Sequence, residues 1–239
     1  MLSLITIMMA KEAKMSSIEK YVRDGAKGDN FGSMSIGNID VVVSSPLPEE
    51  IDLKRVLHNF YNMLPKRFFH GLDAVYVMES PIFKEREINA FYRDAALFIS
   101  PDQDNEQDLV DDLVHEIAHH LEAINPEEIY SDNKLKREFV KKRKQIKFEL
   151  ASEGYDLNEL NFEEISYNKT FDLFLYKNVG YPKMRNIGSG VFLRPYAATS
   201  IREYFASGFE AFYLGKKDDL YKVSPVLYTL IERLDERSR

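Results

Sequence analysis

His115, Glu116 and His119 stand in the run His-Glu-Ile-Ala-His, residues 115–119. On a helix, residues four apart share a face, so both imidazoles can reach one ion. Zinc accepts neutral imidazole nitrogen readily. Glu116 sits beside that face, where its carboxylate can take a proton from a water that the metal has acidified. The resulting hydroxide would attack a polarised carbonyl. These residue types at this spacing therefore point to zinc-dependent hydrolysis. The plain alternative is a helix with two surface histidines. The apolar stripe Val110, Val114, Ile117 and Leu121 argues against it, because it leaves the histidine face free for a site. His120 is expected at the surface or in a supporting hydrogen bond, and not as a ligand.

A catalytic zinc site takes three protein ligands and keeps a fourth position open. The chain has no cysteine, and no histidine follows His120. Upstream, His58 falls on an expected helix and His70 in a loop, neither with a partner at helical spacing. A carboxylate from a later helix is the expected third ligand. The segment 196–210 offers two, Glu203 and Glu210, among the packing residues Phe205, Ala206 and Phe209. They lie two turns apart and can share a face.

These side chains need elements to hold them. The β-branched and aromatic runs 39–45, 73–78, 88–92 and 95–100 read as strands, the last two joined at Arg93-Asp94. Helical spacing covers 49–64. The strongest helix spans 104–123, with Asp104 and Gln107 as a capping box, and it carries the histidine pair. Residues 132–178 are charged and mostly helical, with a break near Gly154. Their basic run 134–144 reads as a solvated face. Residues 180–196 read as a loop, 199–214 as a helix and 217–235 as a last helix. Strands crowd the first hundred residues and helices fill the rest, so the class is α+β: a small mixed sheet with an active-site helix, followed by a mainly helical C-terminal half. We divide the chain into 1–38, a helix and a flexible glycine-rich segment holding Gly25, Gly28, Gly32 and Gly37, and a single domain, 39–239, with a charged helical insertion at 127–178.

The 239 residues carry a net charge of −7, which makes nucleic acid a poor candidate partner. No run is long enough to span a membrane. The N-terminal apolar run lacks a preceding positive charge and a small-residue cleavage pattern, so the expected compartment is the cytoplasm.

An HExxH followed by a glutamate on a second helix resembles the gluzincin metallopeptidases. The local run Glu-Tyr-Phe-Ala-Ser-Gly-Phe-Glu, residues 203–210, with Tyr196 seven positions before its first glutamate, resembles the lethal-factor and Pro-Pro endopeptidase family in particular. HEIAHHLE also looks like the ImmA/IrrE-type zinc peptidases, whose third-ligand motif normally follows much sooner. The resemblance to the first family covers about 95–123 and 194–215. It implies a zincin-like fold, His115, His119 and Glu203 as zinc ligands, Glu116 as general base, and Tyr196 as a phenol donating to the developing oxyanion. It also implies a peptide lying along an edge strand beside the active-site helix, a place that 95–100 is set to take, with an interior strand as the equal alternative for that segment. There are departures: His119 and Glu203 stand 84 positions apart (119 to 203), and the acid the family places four residues after its ligand is here Ser207. Glu210 or Glu122 would then have to orient a histidine. The expected function is a zinc endopeptidase. A catalytically inactive zincin serving as a structural or interaction protein is the alternative, and a zinc hydrolase of another amide or ester is a third reading.

Overall fold

The β-branched run at 39–43 forms a strand, as its composition favours, and it pairs with the segment before it. The computed structural model describes residues 32–238. The helix expected over 1–24 and the glycines at 25 and 28 lie outside them. The end of the glycine-rich stretch is not a flexible connection. Gly32–Ile36 (β1) and Ile39–Val43 (β2) form an antiparallel hairpin. Gly37 turns it at a φ of 59°, and a Cβ there would run into the Tyr61 ring, so the corner suits glycine alone.

Leu53–Met63 (α1) starts at Asp52, whose side chain accepts from the Arg55 N–H at 3.0 Å. A 3₁₀ turn, Lys66–Phe69, leads to Ala74–Val77 (β3). Pro81–Arg86 (α2) is a short helix that the sequence reading did not foresee. Ala90–Arg93 (β4) and Ala96–Ile99 (β5) close a tight hairpin. Asp94 and Ala95 turn it with φ of 47° and 61°, the positive values that two-residue hairpin turns require. The turn sits one residue later than expected.

The sheet order is β1-β2-β3-β5-β4. β2, β3 and β5 are parallel, and β1 and β4 are antiparallel edges. Of the two readings open for 95–100, an edge and an interior strand, the structure has the interior one. β5 is buried along its whole length and pairs with β3 on one side and β4 on the other. Its unbroken apolar run is the pattern of a strand covered on both faces. The edge beside the active-site helix is β4.

Glu106–Ile124 (α3) begins at Asn105, not Asp104. The Asn105 side chain accepts from the N–H groups of Gln107 and Asp108 at 2.9 and 3.0 Å. Pro126–Tyr130 (α4) and Lys134–Ser152 (α5) follow. Lys169–Leu173 (α6) runs on into a π-helical stretch, Phe174–Val179. Tyr181–Ile187 (α7) is helical where a loop was expected. A 3₁₀ turn, Pro195–Ala198, enters Ile201–Tyr213 (α8). The last helix is two, Lys217–Val223 (α9) and Pro225–Glu236 (α10), because Pro225 cannot continue the first and readily starts the second.

The molecule is thus α+β, a five-stranded mixed sheet followed by a mostly helical C-terminal half. α3 packs against α1, β4, β5 and α8. Leu109, Leu113, Val114, Ile117 and Ala118 on α3 are fully buried, as are Phe205, Ala206 and Phe209 on α8. The basic face of α5 is only partly solvated, which corrects another expectation. Lys142 is buried and donates to the carbonyls of Val191 and Val223 at 2.5 and 2.7 Å. Arg143 is buried too, donates to the carbonyls of Glu164 and Asn161, and stacks 3.7 Å over Phe171. It thereby pins the irregular chain after Gly154. Among the described residues, no helix is long and apolar enough to cross a membrane.

Candidate metal centre

α3 and α8 cross with their polar positions facing one another. From α3, His115 and His119 project side by side, ring centroids 4.9 Å apart and nearly perpendicular. From the first turn of α8, Glu203 reaches between them. Its Oε2 lies 3.1 Å from His115 Nε2 and its Oε1 3.5 Å from His119 Nε2. One ligand atom from each of the three residues falls within 4.8 Å of the others. Both histidines thus turn the same nitrogen, Nε2, towards one carboxylate.

Ser200 explains how Glu203 is free to do this. It caps α8, its hydroxyl accepting from the Glu203 N–H at 3.2 Å. Ser-x-x-Glu is the spacing of a capping box, in which the glutamate side chain folds back on the helix start. Here the glutamate turns to the histidines instead. Its place in the first helical turn favours a negative charge.

The other ring nitrogens are backed by carboxylates. His115 Nδ1 is 3.6 Å from Glu210 Oε2, and His119 Nδ1 is 3.5 Å from Glu122 Oε2. Each carboxylate is held in turn by an arginine. Arg194 donates to Glu210, and Arg202 donates to Glu122 at 2.7 Å. Tyr130 adds a hydrogen bond to Glu122. Carboxylates behind ligating imidazoles fix ring orientation and increase basicity. The rivalry between Glu203 and Glu210 is resolved by place. Glu203 stands at the shared Nε2 side, and Glu210 stands behind His115. Ser207, where the resemblance expects an acid, is small and buried.

Burial opposes charge on all three residues, and their mutual contacts overcome it. Burial raises the pKa of Glu203, but the hydrogen bonds of His115 and His119 bring it well below the usual carboxylate range. Burial lowers both histidines, yet the neighbouring carboxylates leave them above the ordinary imidazole value: Glu203 foremost for His115, Glu122 and Glu203 for His119. With two imidazole nitrogens and one carboxylate converging, oriented from behind, the donor set fits a divalent metal of the zinc type. A His-His-Glu group able to hold a metal ion is therefore present.

Glu116, one residue on from His115 and so turned about 100° round the helix, leaves the histidine face and turns to the sheet edge. Its Oε2 accepts from the backbone N–H of Tyr92 on β4 at 2.6 Å. The register explains why that N–H is free. Ser100 N–H donates to the Asn89 carbonyl at 2.7 Å, so in the alternating ladder Tyr92 faces away from β5. The Glu116 charge is still felt by both histidines. Tyr196 sits in the turn before α8, 36% exposed. Burial of its hydroxyl first, then the Glu203 and Asp172 carboxylates, keep the phenol protonated well above the ordinary tyrosine value.

His120 is not at the surface. It is fully buried, and its Nε2 donates to the His70 carbonyl at 3.0 Å while its ring meets Tyr92 edge-on. His58 is exposed and pairs with Asn62. His70 contributes only its backbone to this region. Sequence reasoning did not find Arg194, Arg202 or Tyr130, because no helical spacing joins them to their partners: Arg202 is 80 positions from Glu122, and Arg194 and Tyr130 reach Glu210 and Glu122 from neighbouring elements.

The fold and site together define an α+β protein in which two histidines of one helix and a glutamate of another form a group that could hold a metal ion, compatible with a zincin motif. Compared with protein-family models, with curated proteins and with solved structures, the chain matches none.

Proposed function

We propose that the chain is a zinc-dependent endopeptidase, with His115, His119 and Glu203 as ligands, Glu116 as general base and Tyr196 as oxyanion donor. The observation that carries this is the convergence of both Nε2 atoms on Glu203, each ring backed by a further carboxylate. When bound, zinc supplies Lewis acidity to a peptide carbonyl and to the attacking water. Glu116 accepts the water's proton and returns it to the leaving amine. Tyr196, held protonated, donates to the carbonyl oxygen as it gains charge. The outward backbone groups of β4 other than the Tyr92 N–H, which Glu116 holds, pair with an extended peptide by main-chain hydrogen bonds, on the edge that β5 does not form.

The test is cleavage of a peptide library by zinc-loaded wild type and Glu116→Gln. We expect cutting by the wild type and a loss of roughly 10²- to 10⁴-fold in the variant, with metal retained. Equal cleavage by both would refute the assignment. One observation favours a second reading. Glu116 is tied to the Tyr92 N–H, which a purely structural site would also use to anchor the sheet edge. On that reading the wild type cuts nothing, and Glu116→Gln chiefly lowers the melting temperature.

A further inference from the structure

The loop 188–195 leads from α7 towards α8. Between this loop, α5, α7 and α9 lies a cavity of about 310 Å³. Ile146 of α5, Met184 of α7, Phe192 of the loop and Val223 of α9 give it an apolar wall. Its charged lining is uneven. Arg185, Arg194 and Lys222 are cations, against Asp219 alone, in a chain whose net charge is −7. Small-molecule sites start at about 300 Å³ and join such walls to a few placed charges.

Arg185 and Lys222 stand in the last turns of α7 and α9, where a cation suits the helix end. That accounts for one charge per helix, and not for their meeting around one cavity. Both are exposed, and among the described residues neither side chain has a hydrogen-bond or ion-pair partner. Arg194 differs. Its side chain is 43% exposed, yet it donates to Glu210, whose side chain is 3% exposed. The guanidinium thus stands between the cavity and a buried carboxylate. An arginine has five N–H donors, and the bond to Glu210 uses only the Nη2 group. Glu210 in turn lies 3.6 Å from His115 Nδ1. A line of contacts, Arg194 to Glu210 to His115, therefore joins the cavity to the metal-binding group.

We infer that the cavity binds a small organic dicarboxylate and that its occupancy tightens metal binding. One carboxylate takes the spare N–H groups of Arg194, and the other is drawn by Arg185 and Lys222. The apolar wall favours a ligand with a hydrocarbon body over a bare inorganic anion. A carboxylate on Arg194 draws guanidinium charge away from Glu210. Glu210 then acts more fully on His115 and makes the imidazole a stronger ligand. By linkage, the metal tightens the dicarboxylate by the same factor. The coupling rests on the reading of His115, His119 and Glu203 as a metal centre.

The test titrates isophthalate into zinc-free and zinc-loaded protein by calorimetry, beside neutral isophthalamide and inorganic phosphate. We expect isophthalate to bind the zinc-free protein about tenfold tighter than either. The double variant Arg185→Gln, Lys222→Gln should remove that advantage; both side chains are exposed, so the fold is not at stake. Saturating zinc should tighten isophthalate roughly fivefold, and Glu210→Gln should cancel the gain. Equal binding of isophthalate and isophthalamide, or an advantage that survives the loss of both cations, overturns the site. Binding that appears only with zinc places the anion on the metal and overturns it as well. Phosphate bound as tightly as isophthalate overturns the organic ligand. An affinity that zinc leaves unchanged, in protein shown by metal analysis to be loaded, overturns the coupling. Failure to load zinc at all, with isophthalate still held through Arg185 and Lys222, overturns the metal centre and keeps the cavity as a site.

Discussion

Glu203 meets two histidines, and each histidine meets a second carboxylate from behind, so the centre is a relay and not an isolated trio. Arg194 and Glu210 steady His115, while Arg202, Tyr130 and Glu122 steady His119. We expect Glu210→Gln and Glu122→Gln each to weaken zinc roughly 10- to 100-fold, measured by competition with a chromophoric chelator. Affinities unchanged in both would mean that the outer carboxylates do not orient the rings. The pair His115 and His119 was legible from spacing, and so was the need for a later carboxylate. Helical spacing alone could not separate Glu203 from Glu210, because the choice depends on how α8 is rotated against α3; the resemblance favoured Glu203. Nor could spacing foresee His120 as a buried prop for the edge strand.

At the scale of elements, the long helices and the strands were readable because their apolar periods are strong. What failed were edges and short pieces. Edge and interior could not be told apart for β5, because its second neighbour in the sheet, β3, is distant in sequence. β1 was hidden by its glycine and serine content, α7 by Gly180 and Pro182. The close approach of α8 to α10 was equally invisible. A Cβ on Gly208 would sit 2.7 Å from Leu227 Cγ, a side chain with no room to move. Alanine normally favours a helix over glycine by about 1 kcal/mol. Here we expect Gly208→Ala to destabilise by about 1–3 kcal/mol, as read by urea unfolding; stabilisation would show that the helices can separate freely. On α5, burial pushes Lys142 down to about 8 from its ordinary 10.5. Between these values the folded chain has lost a proton that the unfolded chain keeps, so stability rises with pH across that window. The gain should be on the order of 1–3 kcal/mol, and it should vanish in Lys142→Met. An identical slope in the variant would assign it to other groups.

At the scale of the whole molecule, the metal would join the sheet half to the helical half. Its ligands lie on α3 and α8, 88 positions apart from His115 to Glu203, and no disulfide shares the task. Glu203 bridges the two imidazoles. Bound ligand stabilises by mass action, about 3–4 kcal/mol at hundreds of times its dissociation constant. For a chain of this length, chelation should lower the melting temperature by roughly 5–15 °C, with recovery on adding zinc. A midpoint indifferent to chelator would mean that the halves need no metal to stay together.

The metal centre supports everything proposed here, and zinc content tests it most directly. Purified protein, reconstituted with zinc and passed through a desalting column, would be assayed by metal analysis beside Glu203→Ala. The expected result is about one zinc per chain in the wild type and far less in the variant. A wild type that retains no zinc, or a variant that retains as much, would contradict the assignment of His115, His119 and Glu203 as its ligands.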